Sequence, residues 1–400
     1  MSEGIKDKVA IIGMGCTQFG ERWDCSGEDL IIEAFLEAIQ DAAIEKKDIQ
    51  AAWLGTHYEE LHIDKSSLGL SITLGLPHIP STRIENFCTT GTETLRGACY
   101  AVASGACNIA LAVGMEKLKD TGFGGLPPVG FSASKMRFIN PSITAPGIFS
   151  MLATRYFALY DIKPDEGKLM LAKISAKSHY NGARNPKAHL RKEVTLEQVI
   201  NAPIVGWPLG LFDCCGVSDG AAAAIVVPAS MAKNFRHDPI YIKALQISAS
   251  SGEELYFSKW DGAHVETTYQ AGLKAYAEAG IKNPRDEITM AEVHDCFSIT
   301  EAVTMEDLQF SPRGKVKHDI DSGRFNIDGS QPIQPDGGLK SFGHPVGASG
   351  LRMMYEMYKQ LQGRVQSPER QLKNPKFGLT HNLGGTPPLN VVSVAIVGRD

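Results

Sequence analysis

The feature that most constrains the fold is a faint internal repeat. Residues 33–56, EAFLEAIQDAAIEKKDIQAAWLGT, and residues 270–295, QAGLKAYAEAGIKNPRDEITMAEVHD, carry small and aliphatic residues at matching positions, so that Ala34 aligns with Ala271. A second pair, CTTGTETLR at 88–96 and HPVGASGLR at 344–352, also aligns without gaps. Two matches in the same order predict a duplicated βαβαβ half.

Strand-like and helix-like segments alternate along the chain. Short apolar runs of strand length occur at 8–15, 49–56, 107–116 and 219–230, whereas residues 27–45 have apolar side chains at helical spacing. Short buried strands between helices are typical of a parallel α/β sheet that is covered on both faces. The sequence therefore predicts such a sheet.

Composition indicates a soluble globular chain without an affinity for polyanions. The 400 residues are 43% hydrophobic and 21% charged, with a net charge of −5, so an anionic ligand needs a local basic patch. The first apolar run is too short for a secretory signal and no run approaches a membrane span, so we expect a cytoplasmic protein. The eight cysteines include no C-x2-C pair, so we expect reduced thiols and no metal site.

One stretch, residues 168–192, concentrates basic side chains. They are Lys173, Lys177, Arg184, Lys187 and Arg191, followed by Lys192. A solvated helix face is one interpretation, and a phosphate-binding patch is the other. The preceding stretch, from about 120 to 147, is rich in Gly, Pro and Ser and predicts an irregular, lid-like region.

Cys88 lies where a strand-like run, STRIENF, meets a helix-like run that ends near Gly105. A thiol at a helix N-terminus has its pKa lowered, and the free amides there can bind an oxyanion. The sequence therefore makes Cys88 a candidate nucleophile, with a buried structural cysteine as the alternative.

Two histidines are candidate acid–base groups. His344 lies in the glycine-rich turn GGLKSFGHPVGASG and could serve as the base for a nearby thiol, or form a structural turn. His294 and Cys296, in VHDCFS, share one face of an extended strand end. We expect the intervening Asp295 to point the other way and cap the following helix.

Together these motifs resemble the thiolase superfamily, most closely its sterol-carrier-protein-2-type branch. The resemblance rests on NFCTTGTETLRGACYAVASG with VGMEK, DCCGVSDGAAAAIVV, HDCFS, GGLKSFGHPVGASG and THNLGG, in family order over nearly the whole chain. It implies two βαβαβ halves in a five-layered α-β-α-β-α fold. The implied boundaries are 1–119 for the N-terminal half, 120–207 for a lid and CoA-binding loop domain, 208–236 for the rest of that half, and 237–400 for the C-terminal half.

The resemblance also implies the chemistry. Cys88 would take the acyl group of a β-ketoacyl-CoA, with His344 as its base, and coenzyme A would be the co-substrate. His294 and His344 would hold the enolate, while the backbone N–H groups of Cys88 and Gly384 would form the second oxyanion hole. Most thiolases carry a second acid/base cysteine where this chain has Asn382, so Cys296 would take that role.

Finer implications concern substrate and partners. A homodimer or larger assembly is expected, with a small zinc-ribbon and OB-fold subunit as a possible partner, and a benzoylsuccinyl-CoA thiolase-like subunit is one specific candidate. Two alternatives stay open: an acyltransferase to a carbon nucleophile that is not bound to CoA, and a non-catalytic thiolase-like subunit.

Overall fold

The computed structural model describes residues 4–58, 65–122, 144–256 and 260–399. In these ranges the strands, numbered β1 to β11 in chain order, are Val9–Cys16, Ala51–Gly55, Ser81–Ile84, Ala110–Lys117, Ile204–Gly206, Leu209–Gly210, Asp219–Pro228, Ile240–Ala249, Met290–Glu292, Phe377–Thr386 and Leu389–Gly398. The α-helices are Gly27–Ala42, Leu68–Leu74, Thr90–Ala103, Ala145–Leu159, Pro164–Ala183, Leu196–Ile200, Ala229–Ala232, Glu253–Tyr256, Glu266–Ala279, Pro284–Glu287, Ser298–Asp307, Val316–Asp321, Gly338–Ser341 and Ser349–Gln362.

Nine of these strands form one mixed sheet in the order β3-β2-β4-β7-β1-β8-β11-β10-β9. Within it, β2 with β3, β2 with β4 and β9 with β10 pair in parallel, and the other neighbouring pairs are antiparallel. The prediction of a parallel sheet was therefore wrong. The cause is that strands buried on both faces are apolar throughout, so their sequence does not reveal the direction of their neighbours.

The strand order confirms the duplicated half. Reading toward the junction, β2-β4-β7-β1 of the first half corresponds to β9-β10-β11-β8 of the second. In the first half β3 adds a further strand at the edge, and the halves join where β1 pairs with β8. The helices Gly27–Ala42 and Glu266–Ala279 end at residues that the sequence repeat aligns with each other, Ala42 and Ala279.

The second repeat correctly pairs two turns that each lead into a helix, but its register does not extend to the helix starts. The alignment of Cys88 with His344 pairs Thr90 with Val346, whereas the two helices begin at Thr90 and Ser349. These two helices cross at Gly91 and Gly350, where a Cβ on Gly91 would lie 2.9 Å from the backbone nitrogen of Gly350. This close approach requires glycine on both helices and brings the two reactive turns together.

The core is divided into layers by the two faces of each strand. On β7, Ala222, Ala224 and Val226 pack with the central helices Thr90–Ala103 and Ser349–Gln362. The alternate residues, Ala221, Ala223 and Ile225, pack against the helix Gly27–Ala42. On β11, Ala395 and Val397 face the central helices while Val392, Val394 and Ile396 pack with the helices Glu266–Ala279 and Ser298–Asp307. The expected five-layered α-β-α-β-α arrangement is confirmed.

The insertion between β4 and β7 packs on the second half of the molecule. Phe149 and Tyr156 of one inserted helix, and Leu171 of the next, share a core with Val293 and Phe297. Most of the predicted lid-like stretch, residues 123–143, lies outside the described residues. The domain boundaries therefore stay predictions.

A separate feature concerns membranes: no helix in the described ranges has both the length and the apolar character needed to cross a bilayer.

Candidate active site

Cys88 is held in a strained turn between β3 and the helix Thr90–Ala103. The preceding residue, Phe87, has φ of 49°, in the left-handed region that residues other than glycine rarely adopt. Gly384 of β10 packs against this turn, because a Cβ added there would stand 2.6 Å from Cβ of Phe87 and 2.9 Å from the backbone nitrogen of Cys88. The following N–H, of Gly385, donates to the Cys88 sulfur. Strand β10 therefore fixes the orientation of the thiol.

The hydrogen bonds of His344 define which of its nitrogens carries the proton. Nδ1 lies 2.7 Å from Oγ of Ser349, and that hydroxyl donates to the carbonyl oxygen of Pro345 at 2.9 Å. Since the serine proton is used on Pro345, both contacts are satisfied when Nδ1–H donates to Ser349. Nε2 is then the acceptor, and it is buried without a partner in the described part of the chain. The ring is arranged as a base.

His294 lies just after β9 and is held through its backbone. Its N–H donates to Nδ1 of His381 at 3.3 Å, and the other nitrogen of that ring lies 3.1 Å from Oγ1 of Thr268. The His294 ring packs edge-on against His344, with the ring centroids 5.2 Å apart and the planes at 79°. Among the described residues, Nδ1 of His294 is buried without a hydrogen-bond partner. Both histidines therefore bring an unpaired nitrogen to the same region.

Three distant segments of the chain meet in this pocket. The Cys88 sulfur and one ring nitrogen each of His294 and His344 all lie within 4.8 Å of one another. One sulfur and two imidazole nitrogens are also donors that Zn²⁺ and similar ions prefer, so the cluster could bind such an ion without further ligands from the chain.

Burial controls the ionisation of these groups. Although Cys88 as a whole residue is partly exposed, burial of its thiol raises the pKa to about 12. The nearby Cys215 and Glu116 add to this effect, whereas the hydrogen bond from Gly385 opposes it. The sequence-based expectation of a lowered thiol pKa was therefore wrong, because loss of hydration outweighs the helix terminus. Burial also lowers the pKa of His294 and of His344 well below the ordinary value, so at neutral pH the site holds a thiol and two neutral imidazoles.

Two further thiols, those of Cys215 and Cys296, interact electrostatically with Cys88. Cys214 and Phe297 form an isolated antiparallel bridge, and the N–H of Cys215 donates to the carbonyl oxygen of Cys296 at 2.9 Å. The Cys296 thiol lies 3.6 Å from Oγ1 of Thr300, and Cys88 acts electrostatically on it. Cys296 therefore interacts electrostatically with Cys88 and with Cys215, a thiol that sequence reasoning did not single out. The role of Cys296 in the site stays a prediction.

Asp295 does not cap the following helix, contrary to expectation. The N-cap of Ser298–Asp307 is Phe297, and its side chain makes no cap hydrogen bond. Asp295 instead accepts from the N–H of Leu339 at 2.6 Å and forms an ion pair with Lys340. The ion pair with the buried Lys340 is more favourable for this carboxylate than a helix N-terminus. The two residues are far apart in the chain, so no local sequence pattern indicates their pairing.

Asn382 is fully buried and contacts the central helices. Its side-chain oxygen accepts from Oγ1 of Thr92 at 2.9 Å, and its amide nitrogen lies 3.2 Å from the sulfur of Met353. An amide in this place orients its neighbours and cannot exchange a proton at neutral pH.

Four of the five basic residues suggested for CoA phosphates already have carboxylate partners. Lys173 pairs with Asp321, Lys177 with Glu301, Arg184 with Glu193 and Lys187 with Glu37. Lys173 and Lys177 line a cavity of about 700 Å³ that also contains Glu193, Glu301, Asp321, Asp328 and Glu369. Arg191 is exposed. The cavity lining is acidic, which does not favour phosphate binding by Lys173 and Lys177 there, and the CoA-binding residues stay a prediction.

Several supporting residues were missed by the sequence analysis. They are Ser349 and His381, which contact the two histidines, and Arg352, which pairs with Glu292 and Asp336 beneath the turn after β9. All three lay in quoted motifs, Ser349 in the glycine-rich turn, His381 in THNLGG and Arg352 in the LR pair of the repeat. The roles of His381 and Arg352 depend on contacts between distant segments of the chain, which spacing alone does not show.

Comparisons with known proteins agree with this geometry. Residues 9–230 match the family model described as thiolase, N-terminal domain, and residues 249–399 match the thiolase C-terminal domain-like model. An acetyl-CoA acetyltransferase of Methanothermobacter thermautotrophicus is 38% identical over 94% of this chain and 96% of its own. Sterol carrier protein 2 of Gallus gallus is 31% identical over 94% of this chain and 70% of its own. The solved Ltp2-ChsH2(DUF35) aldolase has a TM-score of 0.83 at 23% identity and covers 99% of both chains.

Proposed function

Because this chain belongs to the thiolase superfamily and is an acyl-CoA acyltransferase with coenzyme A as co-substrate, we propose that it transfers the acyl group through Cys88. The observation that carries the proposal is the meeting of the Cys88 sulfur with nitrogens of His294 and His344 within 4.8 Å. The residue roles below are our proposal.

In the thiolysis direction, the free Nε2 of His344 removes the Cys88 proton as the sulfur attacks the ketone of a β-ketoacyl-CoA. Proton transfer at the moment of attack suits a thiol whose pKa is raised to about 12. The backbone N–H groups of Cys88 and of Gly384 on β10 stabilise the tetrahedral oxyanion. The carbon–carbon bond then breaks and leaves an acyl-cysteine and an enolate.

The enolate is the thioester of the departing acyl-CoA. His294 and His344 stabilise its oxygen, and Cys296 donates a proton to its carbon. The CoA thiol then attacks the acyl-cysteine, and its proton returns to Cys296. The reverse sequence is a Claisen condensation through the same groups.

Substitution of the histidines tests these roles. We expect His294→Ala to lower kcat by about 10²–10³, as for one oxyanion donor, while Cys88 still reacts with iodoacetamide. His179→Ala is the matched control, since His179 is also buried but lies outside the cluster, and it should keep normal turnover. Equal loss of turnover in both variants would refute the assigned role of His294.

A finer proposal concerns the branch of the superfamily to which this chain belongs and the substrate that it uses. The HDCFS motif and the 31% identity to sterol carrier protein 2 support membership of the sterol-carrier-protein-2-type branch. A benzoylsuccinyl-CoA thiolase-like subunit is one candidate within it. Intact-mass measurement of the protein with a panel of straight-chain and aryl β-ketoacyl-CoAs tests both, and acylation by straight-chain substrates alone would refute the aryl candidate.

A small DUF35-type partner and a homodimer are the proposed assemblies. The solved Ltp2-ChsH2(DUF35) aldolase, with its TM-score of 0.83, supports the partner, and the position of β3 at the edge of the sheet gives a second copy a strand to pair with. Light scattering of the purified chain tests the dimer. Full turnover by the isolated chain would show that no partner is required.

A further inference from the structure

Glu116, next to the last residue of β4, is a buried side chain whose partners are backbone N–H groups. The residue is 2% exposed. Its Oε2 accepts from the N–H groups of His57 and Gly347, at 2.9 Å each, and its Oε1 accepts from the N–H of Tyr58 at 2.7 Å. The adjacent Lys117 pairs with other carboxylates. Burying a carboxyl group is costly unless it is paired, so three donors gathered on this one need an explanation.

The three N–H groups belong to two separate segments of the chain. His57 and Tyr58 lie just after β2, the strand that pairs in parallel with β4. Gly347 belongs to the glycine-rich turn, shortly after His344. One oxygen of Glu116 therefore joins the end of β2 to the turn that carries the proposed base.

That turn lies directly on the ends of β2 and β4. A Cβ added to Gly347 would stand 2.5 Å from the carbonyl oxygen of Met115 and 2.6 Å from that of Gly55. Only glycine permits the backbone to approach the strands this closely. The hydrogen bond to Glu116 then fixes the turn in the position that the glycine allows.

The segment after β2 also contacts the turn of Cys88. Nδ1 of His57 lies 2.7 Å from Oε1 of Glu85, and the same oxygen accepts from the N–H of Phe87 at 2.7 Å. Phe87 is the residue in the left-handed region that directly precedes Cys88. Glu116 is thus linked to both reactive turns, directly to one and through His57 to the other. The sulfur and imidazole nitrogens that these turns carry meet within 4.8 Å.

We propose that Glu116 is a positioning residue that holds the turn of His344 against the turn of Cys88 during acyl transfer. This inference rests on the proposed role of His344 as the base. Glu116 takes no part in the proton transfer itself. It keeps the imidazole within reach of the sulfur, and a misplacement of about 1 Å in such a site can cost about 10²-fold in rate.

A purely structural carboxyl group is the alternative, and it predicts a different result. Such a residue would stabilise the fold without acting through His344. Glu306 provides the matched comparison, because it is also 2% exposed and accepts from the N–H groups of Gly314 and Val316, at 2.8 and 2.9 Å. It lies near the end of the helix Ser298–Asp307 and is not part of the histidine–cysteine cluster.

The test is a double-mutant cycle on the rate at which a saturating β-ketoacyl-CoA acylates Cys88, followed by intact mass. Met is close to Glu in length but gives the N–H groups no oxygen acceptor. We expect Glu116→Met to slow acylation by about 10- to 100-fold in the otherwise native protein. In the His344→Ala background it should cause no further slowing, because the base that it positions has been removed. Glu306→Met should leave the rate unchanged in both backgrounds.

Two further variants complete the experiment. Glu116→Gln keeps one oxygen that can accept from both His57 and Gly347, so it should restore most of the rate that Glu116→Met loses. If Glu116→Met fails to fold, Glu116→Asp, which withdraws the carboxylate by one methylene, takes its place in the cycle.

Three results would overturn the inference. They are a native acylation rate in Glu116→Met, equal slowing by it in both backgrounds, and a rate in Glu116→Gln as low as that in Glu116→Met. Absence of an acyl-enzyme on Cys88 in the unmodified protein would refute the proposed function instead.

Discussion

Ser349→Ala tests how the fold prepares His344 as a base. The hydroxyl accepts from Nδ1–H of His344 and donates to the carbonyl oxygen of Pro345. That carbonyl keeps two other donors, the N–H groups of Ala348 and Ser349, at 3.0 Å each. The substitution therefore leaves one buried group unsatisfied, Nδ1–H of His344, and the ring is free to move its proton to Nε2.

The magnitude follows from that single orphaned donor. An unsatisfied buried N–H costs about 1–3 kcal/mol. If this cost lowers the population of the tautomer with the proton on Nδ1, kcat should fall by about 5- to 150-fold. KM should change little, because the proposed mechanism gives the serine no contact with the substrate. Steady-state thiolysis of acetoacetyl-CoA, with kcat and KM measured separately, provides the assay.

Ser393→Ala is the matched control for this prediction. Ser393 is equally buried, lies on β11, and its hydroxyl has no hydrogen-bond partner in the described part of the chain. It should keep normal kcat. If Ser349→Ala keeps normal turnover, or if both variants lose turnover to the same extent, the assigned tautomer of His344 is wrong.

Three further outcomes are expected. Zn²⁺ should inhibit turnover and protect Cys88 from iodoacetamide, because the sulfur and the His294 and His344 nitrogens can share one ion; inhibition that a chelator does not reverse would contradict this. Burial lowers the pKa of His179 in the folded protein to about 4. Between about pH 6.5 and about 4 the unfolded chain therefore binds a proton that the folded chain does not, and the free energy of unfolding should fall as the pH drops through this range. Urea titrations of the native protein and His179→Phe should differ in this pH slope, and equal slopes would refute it. Arg352→Met leaves two buried carboxylates without their cation and should cost about 3–5 kcal/mol of unfolding free energy in the same assay; a loss below about 1 kcal/mol would show that the ion pairs contribute little.

Sequence reasoning predicted those parts of the fold that have a local signature. The helix Gly27–Ala42 follows from the helical spacing of its apolar residues, and its partner Glu266–Ala279 follows from the repeat. Strand direction was not recoverable, since β7 and β4 are both buried along nearly their whole length although they run antiparallel. The start of the second central helix was also beyond reach, because it depends on how the chain packs where Gly91 crosses Gly350.

The candidate active site likewise has parts that the sequence predicted and parts that it could not predict. The sequence supplied Cys88, His294 and His344 as candidates, and the structure brings them into one pocket. It could not supply the ionisation of Cys88, because a helix N-terminus favours the thiolate while burial, which only the folded chain defines, favours the thiol more strongly. It also could not supply Lys340 as the partner of Asp295, since these two charges belong to separate motifs far apart in the chain.

Acyl transfer through Cys88 is tested most directly by the mass of the protein after brief mixing with a β-ketoacyl-CoA. We expect one acyl adduct, located on Cys88 by peptide mapping and released when free CoA is added. In His344→Ala the adduct should form more slowly by about 10² or more, as for loss of a general base. An adduct on Cys215 or Cys296 instead of Cys88, or an acylation rate independent of His344, would refute acyl transfer through Cys88 with His344 as its base.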